Sequence, residues 1–220
     1  MPLLDYIYLD EALQYYAQEG ARLFLLVEGA GSNPTAKNLL LQQYSDELLA
    51  VPLYLDTDYE PVVNVSPLFV PINTDSEYLR WFIANGPEQN AGILLATVYP
   101  PQVVLSHLRG MVEVRLPDYN YASFRYHDPR VVGRYVPAVG EQEQERLLGP
   151  LTAMIWPVRL SGPEGHEVWQ WRALHAPLTI PDDDNPYLEP QPVIDITDEQ
   201  LAAFEQDYYS KLAGRLHTMF

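Results

Sequence analysis

A chain of 220 residues is long enough for one domain with its own core, and at this length roughly 70–75% of the unfolded surface can be buried without disulfides or a structural metal. Thirteen basic against thirty acidic side chains give a formal net charge of −17, which argues against a protein built to hold polyphosphate or an anionic membrane surface. Cysteine is absent, which removes disulfides, thiolate metal sites and cysteine nucleophiles, and 47% hydrophobic with 20% charged residues fits a globular protein.

Met1 to Asp5 has no basic n-region and no long apolar run, so no signal peptide is read there. No window approaches the ~18 apolar residues of a membrane span, and a cytoplasmic location is expected. Residues 10–19 read as a short helix stopped by Gly20. Residues 23–27 are a continuous apolar run ending at Glu28-Gly29, the pattern of a strand buried on both faces. A second helix is expected over 36–49, then short strands at 51–55 and 68–72, whose prolines favour edges or strand ends. Thr74 and Glu77 have the spacing of a capping box, opening a helix that Gly86 closes. A buried strand follows at 92–98, and Pro100-Pro101 opens a helix running to Arg109-Gly110. Residues 111–116 and 121–126 form a hairpin around Pro117-Asp118-Tyr119-Asn120. A helical stretch near 141–148 precedes strands at 151–158 and 168–173, joined by a turn at 162–165. Residues 176–192, with their prolines and Asp182-Asp183-Asp184, read as an extended connector. Thr197 and Gln200 repeat the capping-box spacing before a terminal helix whose apolar stripe is Leu201, Phe204, Tyr208, Leu212 and Leu216.

The expected architecture is α/β: a central mixed sheet with flanking helices, and a smaller, partly helical C-terminal lobe. The expected division is an α/β domain at 1–158 and a C-terminal lobe at 159–220.

Candidate chemistry is sparse. Glu28-Gly29-Ala30-Gly31-Ser32 follows a strand but lacks the third glycine and the Lys-Ser/Thr of a phosphate loop, so it reads as a turn. The five histidines are scattered without metal-ligand spacing, and the triple aspartate lacks the glycine and terminal glutamate of a calcium loop. Neither a cofactor nor a catalytic residue is expected. The alternatives in other classes are a small hydrolase using His127 and a carbohydrate-binding module using the sixteen tyrosines and four tryptophans. Trp169 and Trp171, two apart on a strand, would share a face.

Charge distribution is the most informative feature. Residues 119–159 carry five basic and four acidic side chains, against five and fifteen in 1–118 and three and eleven in 160–220. Arg109, Arg115, Arg125, Arg130 and Arg134 face few nearby acids in sequence, which implies a structural ion-pair network or a surface for an acidic partner.

His107-Leu108-Arg109, a hairpin, and then Phe124-Arg125-Tyr126-His127-Asp128-Pro129-Arg130-Val131 resembles the signature of the family called domain of unknown function 4123 (DUF4123), the adaptor chaperones of bacterial type VI secretion. Leu25-Leu26-Val27-Glu28-Gly29-Ala30 is similar to the family's opening strand, Ser66-Pro67-Leu68-Phe69-Val70 to its second landmark, and Gly149-Pro150 before Trp156 to the end of its domain. The resemblance covers residues 22 to about 158. Glu28 stands where the family usually has aspartate, and His127 where it usually has an aromatic.

The resemblance implies a non-enzymatic adaptor that binds a toxic effector in the cytoplasm and promotes its loading onto the valine-glycine repeat spike protein. It also implies that residues 159–220 help select the cargo. The partners expected are thus a secreted effector and the spike, with no nucleic acid and no membrane. Arg109, Arg125, Tyr126, His127, Asp128, Pro129, Arg130 and Arg134 are the motif residues that could face a partner. Phe204, Tyr208 and Tyr209 are candidate interface anchors on the terminal helix. Asp128-Pro129 suits a helix N-terminus, and Arg125 and Arg130 could clamp Asp128 and a carboxylate elsewhere.

Overall fold

The run at 23–27 is apolar at every position because both of its faces are covered. The computed structural model describes residues 1–29, 49–161, 166–177 and 194–202. In chain order its strands are β1 (Leu3–Ile7), β2 (Arg22–Val27), β3 (Val51–Pro52), β4 (Leu68–Ile72), β5 (Gly92–Thr97), β6 (Glu113–Arg115), β7 (Tyr121–Ser123), β8 (Ala153–Ser161), β9 (Glu167–His175) and β10 (Ile194–Asp195). The helices are α1 (Leu9–Gln18), α2 (Glu77–Gln89), α3 (Pro101–Gly110), α4 (Pro129–Ala138) and α5 (Glu141–Leu148).

Seven strands form one sheet in the order β1-β9-β8-β5-β2-β4-β3, and a second sheet has the order β10-β6-β7. Each neighbouring pair in the large sheet is antiparallel. The small sheet supplies the parallel pair, β10 with β6. The fold is α/β as expected, but the central sheet, expected to be mixed, is antiparallel in every described pair, and the double burial of β2 comes from helices on both of its sides.

Alternation then sorts the side chains. Phe24, Leu26, Ile93, Leu95, Met154 and Trp156 pack with Val104, Leu108, Val132, Val136 and Leu147 of α3, α4 and α5. Leu23, Leu25, Val27, Leu94, Ala96 and Ile155 pack with Leu9, Leu13, Tyr16, Tyr78, Leu79 and Phe82 of α1 and α2. Each fully buried Leu, Ile or Phe in these layers contributes about 1.5–3 kcal/mol of transfer free energy.

Several expected boundaries move. Strand β1, not expected from the sequence, pairs with β9 in the register Leu3↔His175 to Ile7↔Trp171. Helix α2 is capped by Ser76, whose hydroxyl accepts from the Leu79 amide at 3.4 Å, rather than by Thr74. It also runs through Gly86 and Pro87 to Asn90, which takes the left-handed conformation at φ 49° and ends it. The strand expected at 51–55 is reduced to the two residues of β3. Pro71 lies beyond β3 along β4, since β3 pairs only with Leu68 and Phe69.

The boundary expected at 158 falls inside β8, and β9 lies within the large sheet between β8 and β1. The parallel pair of β10 with β6 is reinforced by a two-pronged bond from Arg115 to Asp195, at 2.6 and 3.0 Å. The capping box at Thr197 is formed: the Thr197 amide donates to Gln200 Oε1 at 2.9 Å and the Gln200 amide to Thr197 Oγ1 at 3.2 Å. The helix expected at 36–49 lies almost wholly outside the described residues. So do the turn at 162–165, nearly all of the connector, and Phe204, Tyr208 and Tyr209.

Candidate functional site

Three separate segments converge where β2 ends. The first is Glu28-Gly29. The Glu28 amide still donates to the Ala91 carbonyl at 2.8 Å, holding its side chain at the sheet margin. Gly29 then lies directly against Ser66, where a Cβ would come 1.9 Å from the Ser66 carbonyl oxygen, so the crossing admits glycine alone. The second is Ser66-Pro67, entering β4. The buried Ser66 hydroxyl accepts from the Tyr54 amide at 2.9 Å and donates to the Pro67 carbonyl at 2.8 Å.

The third segment runs from β7 into α4. Its Tyr126 is fully buried, and its hydroxyl donates at 2.7 Å to the Leu108 carbonyl, which also takes the Met111 amide at 3.1 Å at the end of α3. The Asp128 amide closes a turn onto the Arg125 carbonyl at 2.9 Å. Asp128 is then the N-cap of α4 and accepts the Arg130 amide at 2.9 Å, while buried Pro129 occupies the first helical position. Arg130 folds back on Asp128 with Nε 2.9 Å from Oδ1 and Nη2 2.6 Å from Oδ2.

The carboxylate elsewhere is Glu28. It pairs with the Arg125 guanidinium, and the same oxygen lies 3.3 Å from Nε2 of buried His127. Glu28 has 10% of its side chain exposed, against 43% for Arg125 and 59% for Arg130. Asp128 is therefore buried and Glu28 nearly so, while their guanidiniums reach solvent.

The electrostatics reflect this geometry. Hydrogen bonding to Asp128 raises the Arg130 pKa, with burial working against it. Burial raises the Tyr54 phenol, Glu28 adds to the rise, and Arg125 opposes it. Tyr126 is held well above its usual value by burial.

Two supports lie behind the corner. His107 Nε2 sits 3.1 Å from the Leu147 carbonyl, which can only accept, so Nε2 carries the proton and Nδ1 is bare. Burial lowers the His107 pKa although that carbonyl favours the charged form. Gly149, at φ 51°, packs on the same ring, where a Cβ would come 2.3 Å from Cε1. Gly133 of α4 faces the indole of buried Trp156, its Cβ position 3.2 Å from Nε1.

The arginines of this stretch are thus engaged within the chain. Arg109 donates to the Leu53 carbonyl at 3.2 Å and lies 3.5 Å from Asp56. Arg115 holds Asp195, Arg125 holds Glu28, Arg130 holds Asp128, and Arg134 is engaged as well. His127 and Asp128 do not pair with each other; they face Glu28 and Arg130. Chemically, the arrangement fastens β2, the approach to β4 and the start of α4 into one corner.

Sequence reasoning had no place for Glu28 or Asp56 among the site residues. A carboxylate closing an otherwise apolar strand was the available signal for Glu28. Trp169 and Trp171 share a face as expected: Trp171 packs into the α1–α2 layer, and the Arg159 guanidinium lies 5.7 Å from the Trp169 ring centroid.

A family model described as a domain of unknown function, DUF4123, matches residues 23–146, more than half of the chain. The chain is also 35% identical over 99 residues to the accessory protein VasW of Vibrio cholerae serotype O1 (strain ATCC 39315 / El Tor Inaba N16961). That alignment covers 44% of this chain and 31% of VasW, so it spans less than a third of the relative. No solved structure matches the chain. The matched region opens on β2, closes within α5, and contains Glu28, Ser66, His107, Arg125 and Asp128.

Proposed function

The chain belongs to the DUF4123 family, and from that premise we propose that it is a non-enzymatic adaptor of a type VI secretion system. In this reading it binds a toxic effector in the cytoplasm and promotes its loading onto the valine-glycine repeat spike protein. The observation that carries the reading is the family match over residues 23–146, within which the signature residues fasten the fold together. The similarity to an accessory protein points the same way.

His127 is buried against Glu28, which leaves a substrate no approach to its ring and weighs against the hydrolase reading. The tryptophans favour packing over a sugar platform, because Trp156 is fully buried and Trp171 is partly buried against the α1–α2 layer.

Cargo choice is assigned to residues 159–220, with residues 1–158 as the common platform. Since β9 is part of the sheet, a graft that exchanges cargo preference must keep 167–175 and replace only the residues C-terminal to it. The test is co-expression of the chain with candidate effector and spike proteins of the same organism. The expected result is a ternary complex on size exclusion, and loss of effector delivery, but not of spike assembly, when the gene is deleted. Effector delivery that persists without this gene would overturn the proposal.

A further inference from the structure

The large sheet ends differently on its two sides. At one margin β3 is two residues long, contains Pro52 and passes into turns, the usual way a sheet edge is blunted. At the other margin β1 offers five residues, Leu3-Leu4-Asp5-Tyr6-Ile7, with no proline, lysine or arginine among them. Among the described residues, no strand lies beyond β1. Its side chains are open, Leu3 at 49% and Tyr6 at 54% exposed, and Tyr8, the residue that follows the strand, is exposed as well.

From this geometry we propose that β1 is a docking edge that takes an extended, cationic segment of a partner protein as an eighth strand. An extended polypeptide is the ligand whose alternating donors and acceptors match those of a strand edge. The cationic character comes from the surrounding charge. Asp5 lies on the strand, and Asp10 and Glu11 stand in the first turn of α1, all exposed. The nearby cations each face a group of this chain: the Arg172 guanidinium sits 5.4 Å from the Tyr6 ring centroid, the N-terminal amine is 3.8 Å from Glu145, and His175 Nε2 lies 3.4 Å from Asp5. A second copy of this chain would bring −17 against −17 and Asp5 toward Asp5, so the same field disfavours self-pairing. Exposed Leu3 and Tyr6 lie on opposite faces of the strand and would receive the partner's apolar side chains.

This inference stands apart from the adaptor reading, since it concerns the chemistry that the edge accepts, whatever protein supplies it. Two blocked synthetic octapeptides test it on the full chain, one alternating lysine with valine and one alternating glutamate with valine. Fluorescence anisotropy at low and high salt gives affinity, and amide hydrogen exchange gives location. The lysine peptide is expected to bind at least roughly tenfold tighter than the glutamate peptide, weaken with salt, and slow exchange within residues 3–7. Asp5→Lys is expected to weaken it by roughly tenfold. If that variant does not fold, Asp10→Lys with Glu11→Lys, on the exposed turn, reads the same charge dependence. Equal affinity for the two peptides, or protection mapping away from residues 3–7, would overturn the proposal. So would concentration-dependent dimers of the chain protected at these same amides, which would make a second copy the occupant.

Discussion

The corner at the end of β2 and the edge at β1 treat charge and backbone in opposite ways. In the corner, the largely covered carboxylates of Glu28 and Asp128 each meet a guanidinium, and Asp128 also takes a main-chain amide. At the edge, Asp5 is exposed and two large apolar side chains face water. The corner lies inside the family-matched region and β1 lies outside it. The difference teaches where to look for each property: the matched region carries the fastenings, and the unmatched margin carries a surface fit for contact.

Four experiments put that contrast at risk. Gly29→Ala is expected to be the most damaging, because its Cβ meets the main chain of Ser66 and neither side can swing away. A loss of about 3 kcal/mol or more is expected, a fall in melting temperature of roughly 6–12 °C. A variant that melts with the native protein would mean that the crossing can relax.

Arg125→Ala comes next, with an expected cost of about 2 kcal/mol in urea denaturation. It strands the Glu28 carboxylate at 10% exposure, while the 43% exposure of Arg125 keeps the cost below that of a fully buried pair. Asp128→Ala should lose about 1–2 kcal/mol as the cap of α4 disappears, and Asp128→Asn should restore most of it because the amide oxygen still accepts. Unchanged stability in both alanine variants, with partner binding abolished, would move the motif from fastening to contact surface.

The third test is pH. His107 is held neutral by burial, with its pKa below the ordinary 6.5. The unfolded chain therefore binds the proton more readily than the folded one. The stability this group contributes is present above about 6.5 and declines as the pH falls below that value. His107→Gln, which can still donate to the Leu147 carbonyl, should flatten that part of a stability-against-pH curve. A curve identical to the native one would assign the acid sensitivity elsewhere. The smallest effect is expected at the edge, where Leu3→Ser should change stability by no more than about 0.5 kcal/mol. A larger loss there would mean that β1 is a structural seam after all.

Much of the interior was legible because its signals are local. The unbroken apolar run of β2, Pro100-Pro101 at the start of α3 and Asp128-Pro129 at the start of α4 each depend on neighbours within a turn. The Thr197 box formed for the same reason. The Thr74 box did not: Ser76, two residues on, has the position to cap α2, and a spacing rule cannot choose between two nearby hydroxyls. Strand β1 was hidden because its residues are half open, so the alternation that marks a strand is blurred, and its partner β9 is remote in sequence. The arginine cluster could be read as network or surface, and the deciding carboxylates, Glu28 and Asp56, lie 97 and 53 positions away from Arg125 and Arg109. Long-range pairing of this kind leaves no periodic trace.

The pairing of β1 with β9 also governs how the molecule is made. Leu3 waits for His175, about 170 positions downstream, whereas β2, β4 and β5 find their neighbours within a much shorter stretch of chain. At ordinary rates of synthesis the interval between the two strands is roughly ten to thirty seconds. During it the central strands can already close on one another, while β1 is still without its partner. A chain cut before Trp171 lacks every residue that pairs with β1, so the fragment cannot close that side of the sheet.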